Sequence, residues 1–152
     1  MLKRDDEFFM REAIKLARQA ADEGEIPVGA IIVGASQVIG KGYNQTEKLN
    51  DSTAHAEMIA LTSAFQYMGA KYLTDCTLYV TLEPCPMCAG ALNWSQIQKI
   101  VFGTPDPKKG YSVFKNSKGK NLLHPSTSVV RGVMQNECKS LVDDFFKRIR
   151  GK

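Results

Sequence analysis

The sequence predicts an α/β protein, and three features of it carry that prediction. Segments near both ends repeat apolar residues with the period of a helix packed on one side, and short runs rich in Val, Ile and Leu lie between them. In the middle of the chain a strand, a helix and a second strand follow one another, which implies a parallel crossover. The 152 residues are expected to form one domain, 1–152, long enough to bury roughly 70% of the surface an unfolded chain exposes.

The first helix is expected from Asp5 to about Ala21, because Phe9, Ala13, Leu16, Ala17 and Ala20 fall on one face and acids at its start suit the helix dipole. Gly24 and Pro27 end it. Val28 to Val33 reads as a strand, Gly34-Ala35-Ser36 as a turn, and Val38, Ile39 and Tyr43 to Asn44 as a second strand, together a hairpin. After a polar loop, Gln45 to Ser52, a helix is expected from about Thr53 to Met68 with Thr53 or Ser52 as its cap. Thr77 to Leu82 is the third strand, Cys85 to about Trp94 the third helix and Ile97 to Phe102 the fourth strand. Gly103 to Ser126, rich in Gly, Pro, Lys and Asn, reads as a long loop of the kind that often carries function. The last helix spans about Met134 to Ile149, with Cys138, Leu141, Val142, Phe145, Phe146 and Ile149 on one face.

A hydrophobic content of 43% and a charged content of 24% are those of an ordinary globular protein. The start, Met1-Leu2-Lys3-Arg4-Asp5-Asp6, has no apolar leader, and no segment is long and apolar enough to cross a bilayer, so the expected location is the cytoplasm with no membrane partner. In a reducing compartment the close pair Cys85 and Cys88 suits metal thiolates better than disulfides, and Cys76 and Cys138 read as plain buried thiols. A formal net charge of +4 is too small by itself to announce a nucleic-acid partner. Its distribution says more: from Lys108 onward the chain carries Lys108, Lys109, Lys115, Lys118, Lys120, Arg131, Lys139, Lys147, Arg148, Arg150 and Lys152 against only Glu137, Asp143 and Asp144. That imbalance fits phosphate attraction, and equally a solubilising face with a frayed tail.

The chemistry is concentrated in His55-Ala56-Glu57 and Pro84-Cys85-Pro86-Met87-Cys88. His55, Cys85 and Cys88 are three zinc-type ligands, which leaves one tetrahedral position open, as in a hydrolytic rather than a structural site. Residues two apart on a helix point to nearly opposite sides, so His55 and Glu57 can serve one site only from the first turn of their helix. Cys85 and Cys88, three apart, share a face at a helix start, where thiol pKa values fall. Glu57 is then the spare carboxylate that moves protons. Two readings compete: a closed zinc knot, for which Cys76 is a candidate fourth ligand, and a C-x-x-C with no metal that serves only packing or redox; the knot through Cys76 requires the two ends of a strand, roughly 17 to 20 Å apart, to reach one ion. His124, before Pro125 in the basic loop, reads as a surface residue. The H-x-E and P-C-x-x-C pattern is the mark of zinc deaminases acting on nucleobases.

With Gly24-Glu25-Ile26-Pro27-Val28-Gly29-Ala30, Thr53-Ala54-His55-Ala56-Glu57 and Thr81 to Ala91, and with Glu137-Cys138, Phe145-Phe146 and a basic finish, the chain resembles the bacterial tRNA-specific adenosine deaminases of the cytidine/deoxycytidylate deaminase superfamily over nearly its whole length. The resemblance implies a three-layer α/β/α sandwich around a mixed five-stranded sheet, the cytidine deaminase-like fold, with one Zn2+ per chain. It implies hydrolytic conversion of adenosine to inosine at the wobble position of a tRNA anticodon, by a homodimer that binds the anticodon stem-loop and needs no nucleotide cofactor. It also implies that Asn44 hydrogen-bonds the flipped base, that Val28, Ala56 and Leu82 wall the pocket, that Asp106 lies near the sugar and backbone, and that Phe146 contacts the anticodon loop.

Each substrate contact has a plainer reading. Asn44 fits a turn closing the second strand, Asp106 a turn between two prolines, and Phe145 and Phe146 the packed face of their helix. Val28 and Leu82 fit ordinary strand residues. The segment Tyr111 to Lys120 departs from the family's wording, and Asn93-Trp94 is similar to bacterial guanine deaminases, although Trp94 reads most simply as a buried aromatic. Two further activities therefore stand beside the first: deamination of a free base or nucleotide, guanine or a cytosine nucleotide, and a non-catalytic zinc-stabilised RNA-binding module.

Overall fold

The computed structural model describes residues 4–151, so Met1, Leu2 and Lys3 of the acidic start and Lys152 of the basic finish lie outside the described residues. Helix α1 is Asp6–Asp22, β1 Gly29–Gly34, β2 Gln37–Tyr43, α2 Ala56–Met68, β3 Cys76–Leu82, α3 Pro86–Ser95, β4 Lys99–Thr104, β5 Ser128–Arg131 and α4 Gln135–Arg150, with one turn of 3-10 helix at Tyr111–Val113. The strands form one sheet in the order β2-β1-β3-β4-β5. β1 pairs antiparallel with β2 and with β3, whereas β3–β4 and β4–β5 are parallel, so the sheet is mixed.

Alternation along the strands sorts the core into two halves. Ala30, Ile32, Leu78, Val80, Ile100 and Phe102 face Ala56, Ala60, Leu61 and Ala64 of α2 and Ala89 and Leu92 of α3. Ile31, Val33, Tyr79 and Val101 face Phe9, Met10, Ala13 and Ile14 of α1 and Cys138 of α4. Both faces of the sheet are covered, which is why β1, β3 and β4 read as continuous apolar runs. The result is the three-layer sandwich around five strands that the resemblance implied.

Local chemistry explains most boundaries. Asp5 caps α1 by accepting from the Phe8 amide at 3.0 Å, and Asp6 and Glu7 sit in the first turn where the dipole favours anions. The β1–β2 hairpin turns through Ala35 and Ser36, both in the left-handed region (φ 49° and 64°), the twist a two-residue hairpin loop requires. On β2, Gly40 and Gly42 admit α2: a Cβ at Gly40 would lie 2.5 Å from the Ala60 carbonyl oxygen, and one at Gly42 would overlap the Ala56 carbonyl and stand 2.8 Å from the Ala60 amide. The backbone of α2 thus rests directly on the sheet.

Several expectations require correction. Residue by residue the chain showed four strands, and the structure adds β5, whose Val129 and Val130 pair with Ile100 and Val101. It is only four residues long and half exposed, too short for periodicity to reveal. Helix α2 begins at Ala56, and neither Ser52 nor Thr53 caps it; the Asp51 carboxylate accepts from the Thr53 amide at 2.8 Å and its hydroxyl at 2.7 Å, which holds that stretch as a turn and leaves His55 at the cap position. Trp94 is 83% exposed rather than buried. On α4, Cys138 and Phe145 are buried, but Phe146 and Ile149, at 38% and 51%, remain exposed edges of the apolar face.

Replacing Gly42 by Ala pushes a methyl group into the first turn of α2. Denaturant titration of the Gly42→Ala protein is expected to show a loss of about 1–3 kcal/mol, the usual range for overpacking a tight interior.

Candidate metal centre

Two chain corners meet on the α2–α3 side of the sheet. β3 ends at Leu82, and Glu83-Pro84-Cys85 turns the chain into α3, where Pro86 takes the first helical position, which needs no amide donor. Cys85 is the N-cap and Cys88 lies in the first turn. His55 is the N-cap of α2, extended at φ −76°, ψ 153°, and Glu57 lies in that helix's first turn. Neither cap side chain bonds its own helix, so the imidazole and the sulfur point elsewhere.

They point at each other. His55 Nδ1 is 3.6 Å from Cys85 Sγ and 3.5 Å from Cys88 Sγ, and the three ligand atoms all lie within 4.8 Å of one another. A tetrahedral zinc with bonds of about 2.3 Å to sulfur and 2.0–2.1 Å to nitrogen would separate N from S by roughly 3.5 Å. The donor set and its spacing therefore fit zinc. Among the described residues no other cluster of three such ligands forms.

The electrostatics are those of a site built for a cation. The Cys88 thiol beside it, and then His55, hold the Cys85 sulfur down at about 4. Cys88, facing that thiolate from a buried position, is pushed well up, and His55 is raised by its contact with Cys85. Glu57 is only 4% exposed, and burial pushes its carboxyl up to about 7. A cation among the ligands pulls such a group back toward its ionised form.

Cys76 begins β3 and Cys138 lies on α4; both are buried free thiols outside the ligand cluster. Burial raises Cys76 and pushes Cys138 up to about 12, as expected of inert core thiols. His124 accepts from the Ser126 amide at 3.1 Å, within its own loop.

The remaining sequence-predicted residues divide into two groups. Asn44 follows β2 directly; its amide donates to Val28 O at 3.1 Å, and the next residue, Gln45, donates to Ala54 O at 3.0 Å, so the chain brings Val28 and Asn44 beside the His55 corner. Asn44 Nδ2 donates to Ile26 O at 3.3 Å, while Oδ1 is buried with no partner among the described residues. Such an acceptor costs about 1–3 kcal/mol unless a ligand satisfies it. Ala56 is fully buried in the first turn of α2, and Leu82 is half-buried at the end of β3. Farther out, the Asp106 carboxylate accepts from the Lys108 and Lys109 amides at 3.2 and 3.0 Å, the bonding of a turn residue. Phe146 packs edge-on against Phe145 on α4, in the opposite helical layer.

Two buried carboxylates escaped the sequence reading. Glu25 accepts from the Glu47 and Lys48 amides at 3.0 and 2.8 Å, and Glu83 accepts from the amides of Asp106 and Ser112. The one available signal was at Glu83, a lone acid beside Pro84 at the end of an apolar strand; Glu25, close to Asp22 and Glu23, carried none.

Residues 3–104 match the family model for the cytidine and deoxycytidylate deaminase zinc-binding region. The chain is 43% identical to the tRNA-specific adenosine deaminase of Bacillus subtilis (strain 168), over 97% of this chain and 92% of that protein. A solved structure from work on A-to-I editing by tRNA:A34 deaminases at the wobble position superposes with a TM-score of 0.81 at 36% identity, covering 88% of this chain and 98% of that one. Guanine deaminase from Bacillus subtilis superposes with a TM-score of 0.64 at 39% identity over 66% of this chain and 65% of that one.

If the ligand set is His55, Cys85 and Cys88, elemental analysis of Cys88→Ser and His55→Ala proteins should find zinc largely lost. Cys76→Ser and Cys138→Ser proteins should retain about one zinc per chain. Loss of zinc from the Cys76 variant would instead mark a closed four-ligand site.

Proposed function

We infer that this chain, which belongs to the cytidine and deoxycytidylate deaminase family and within it to the tRNA-specific adenosine deaminases, converts adenosine to inosine at the wobble position of a tRNA anticodon by zinc-dependent hydrolysis. The observation that carries this reading is a three-ligand cluster with a buried, unligated carboxyl beside it. When bound, zinc supplies the Lewis acidity that makes water a nucleophile near neutral pH. His55, Cys85 and Cys88 would hold it. Glu57 would take one proton from the attacking water and pass it to a ring nitrogen of adenine, then take the second from the newly attached hydroxyl and deliver it to the amino group, which leaves as ammonia.

The target base must leave its stack to reach this corner, a small expense in a single-stranded anticodon loop. Asn44, steadied through Nδ2 by Ile26 O, would offer its free Oδ1 to a donor on the flipped base. Val28, Ala56 and Leu82 would wall the pocket. Asp106 and its neighbouring lysines would meet the sugar and backbone, and Phe146, exposed on basic α4, the anticodon loop. The whole chain would act as one deaminase domain in the cytoplasm, where tRNA is used in translation. No helix among the described residues is long and apolar enough to cross a membrane.

We further propose that the chain works as a homodimer. Helices α2 and α3 belong to a single layer, yet Tyr67, Met68, Met87 and Trp94 on them stay exposed, and such residues in one layer favour a protein interface. Sedimentation should give twice the chain mass, and fluorescence of Trp94, the only tryptophan, should shift to the red on dilution to monomer. A monomer with an unshifted spectrum removes this part of the reading.

Guanine deamination rests on Asn93-Trp94. Asn93 is engaged elsewhere, donating to Leu122 O at 2.9 Å, and Trp94 faces solvent.

Incubation with tRNA transcripts should yield inosine and ammonia, with apparent affinity falling steeply as salt rises. Turnover of free guanine or cytidine instead would support the small-molecule alternative. The Glu57→Gln protein should keep its zinc and bind tRNA while losing about 10²–10⁴-fold in turnover; an RNA-binding module would release no ammonia in either form.

A further inference from the structure

Glu83 is 4% exposed, stands two residues before Cys85, and has no part in the chemistry described above. Its backbone amide donates to Thr104 O at 2.9 Å, joining the ends of β3 and β4. Its carboxylate turns to the segment that leaves β4: Oε1 accepts from the Asp106 amide at 3.1 Å, and Oε2 from the Ser112 amide at 3.0 Å and the Ser112 hydroxyl at 2.7 Å. The Tyr111 amide adds a bond to Pro84 O at 2.8 Å. Gly110 has no side chain where the carboxylate lies, and a Cβ there would overlap it. One buried anion thus gathers both ends of the 106–112 segment against the corner that carries Cys85.

The second link runs outward. Asp106, whose amide Glu83 holds, accepts with Oδ1 from the amides of Lys108 and Lys109 at 3.2 and 3.0 Å. Both lysines are exposed, and neither forms an ion pair among the described residues. Glu83 thereby fixes the backbone under two adjacent free cations next to the metal corner. A flexible loop with the same lysines would lose ordering entropy each time it met a phosphate backbone; a loop already held loses less.

We propose that Glu83 is a positioning residue whose buried carboxylate presets the 106–112 turn, so that Lys108 and Lys109 form a ready cationic pair for the phosphates flanking the target base. This rests on the RNA-substrate reading given above. It deepens that reading by assigning part of RNA affinity to a side chain that never touches RNA.

The test is steady-state kinetics of the zinc-loaded full chain on a tRNA transcript between about 50 and 300 mM salt. Inosine formation by the unaltered protein establishes the reading beneath the proposal; its absence removes both. Given that activity, Glu83→Gln, which puts a donor where only donors approach, should raise KM about tenfold, leave kcat within about twofold and zinc content unchanged, and make log KM depend less steeply on log salt by about one unit, as expected for fewer neutralised phosphates. A Lys108→Ala/Lys109→Ala protein should show the same pattern, and adding Glu83→Gln to it should raise KM little further, because both changes break one device. Should Glu83→Gln fail to fold, Ser112→Ala removes a single donor and should give about a threefold rise in KM in the same direction. Lost zinc, a fall in kcat at constant KM, or fully additive effects with the lysine variant would overturn the proposal and assign Glu83 to support of Cys85 alone. An unchanged KM in both Glu83→Gln and Ser112→Ala would overturn it as well.

Discussion

The approach of the His55 imidazole to the Cys85 and Cys88 sulfurs, at 3.6 and 3.5 Å, is the constraint on which the molecule turns. Two helices must start at one point, and each must spend its N-cap residue on the site rather than on its own amides. These groups shift one another, with Cys85 held down at about 4 while Cys88 and Glu57 are driven up. Only a rigid support keeps such groups together. The sheet provides it, because α2 lies close enough on β2 that only glycine fits at positions 40 and 42.

That support ends where the strands end, and the loops beyond are held by a different means. Glu25 receives the amides of Glu47 and Lys48 from the segment before α2, and Glu83 receives those of Asp106 and Ser112 from the segment after β4. A buried carboxylate that accepts several amides gives a loop nearly the definition of a strand, since hydrogen bonds to a charged acceptor are stronger than those between neutral groups. Both carboxylates lie in segments that lead into candidate site residues: Glu25 just ahead of Val28, proposed as a pocket wall, and Glu83 just ahead of Cys85. Recognition can then reside on loops, which vary easily, while the metal ligands reside on helix starts, which do not.

Legibility in the sequence followed the range of the interactions concerned. Helices α1 and α4 and the β1–β2 hairpin were readable within a few residues, because periodicity and turn chemistry are local signals. The parallel β3–α3–β4 unit was readable because its elements are consecutive. The zinc cluster was readable because Cys85 and Cys88 are three apart and His55 carries its own acid two residues on. Strand β5 was not, since four residues gain strand character only from pairing with β4. The start of α2 was misjudged because Asp51, whose bonds to Thr53 hold a turn, competes with any cap there. Glu25 and Glu83 were invisible as anchors because their partners lie 22 to 29 residues away. Trp94 was assigned inward by its type alone, and nothing in its neighbourhood marks which side of α3 stays uncovered.

The distinction between a closed metal knot and a reactive centre rests on what stands near the fourth vertex. Cys76 is the only further thiol on the same strand as the ligand corner, but β3 carries it to the far end, where its sulfur packs toward Gly34. The buried group that does stand beside the ligands is Glu57, in the first turn of α2 two residues beyond the His55 cap. Burial makes its carboxyl hold a proton tightly, and a nearby cation makes it release one. A group balanced between those two influences can take a proton from water and later supply one to a leaving amine within one cycle. On the reading proposed for Glu57, a neutral side chain at that position would leave the metal ligands in place and remove the carrier, so the carboxylate beside the ligands, more than the ligands themselves, would separate catalysis from structure.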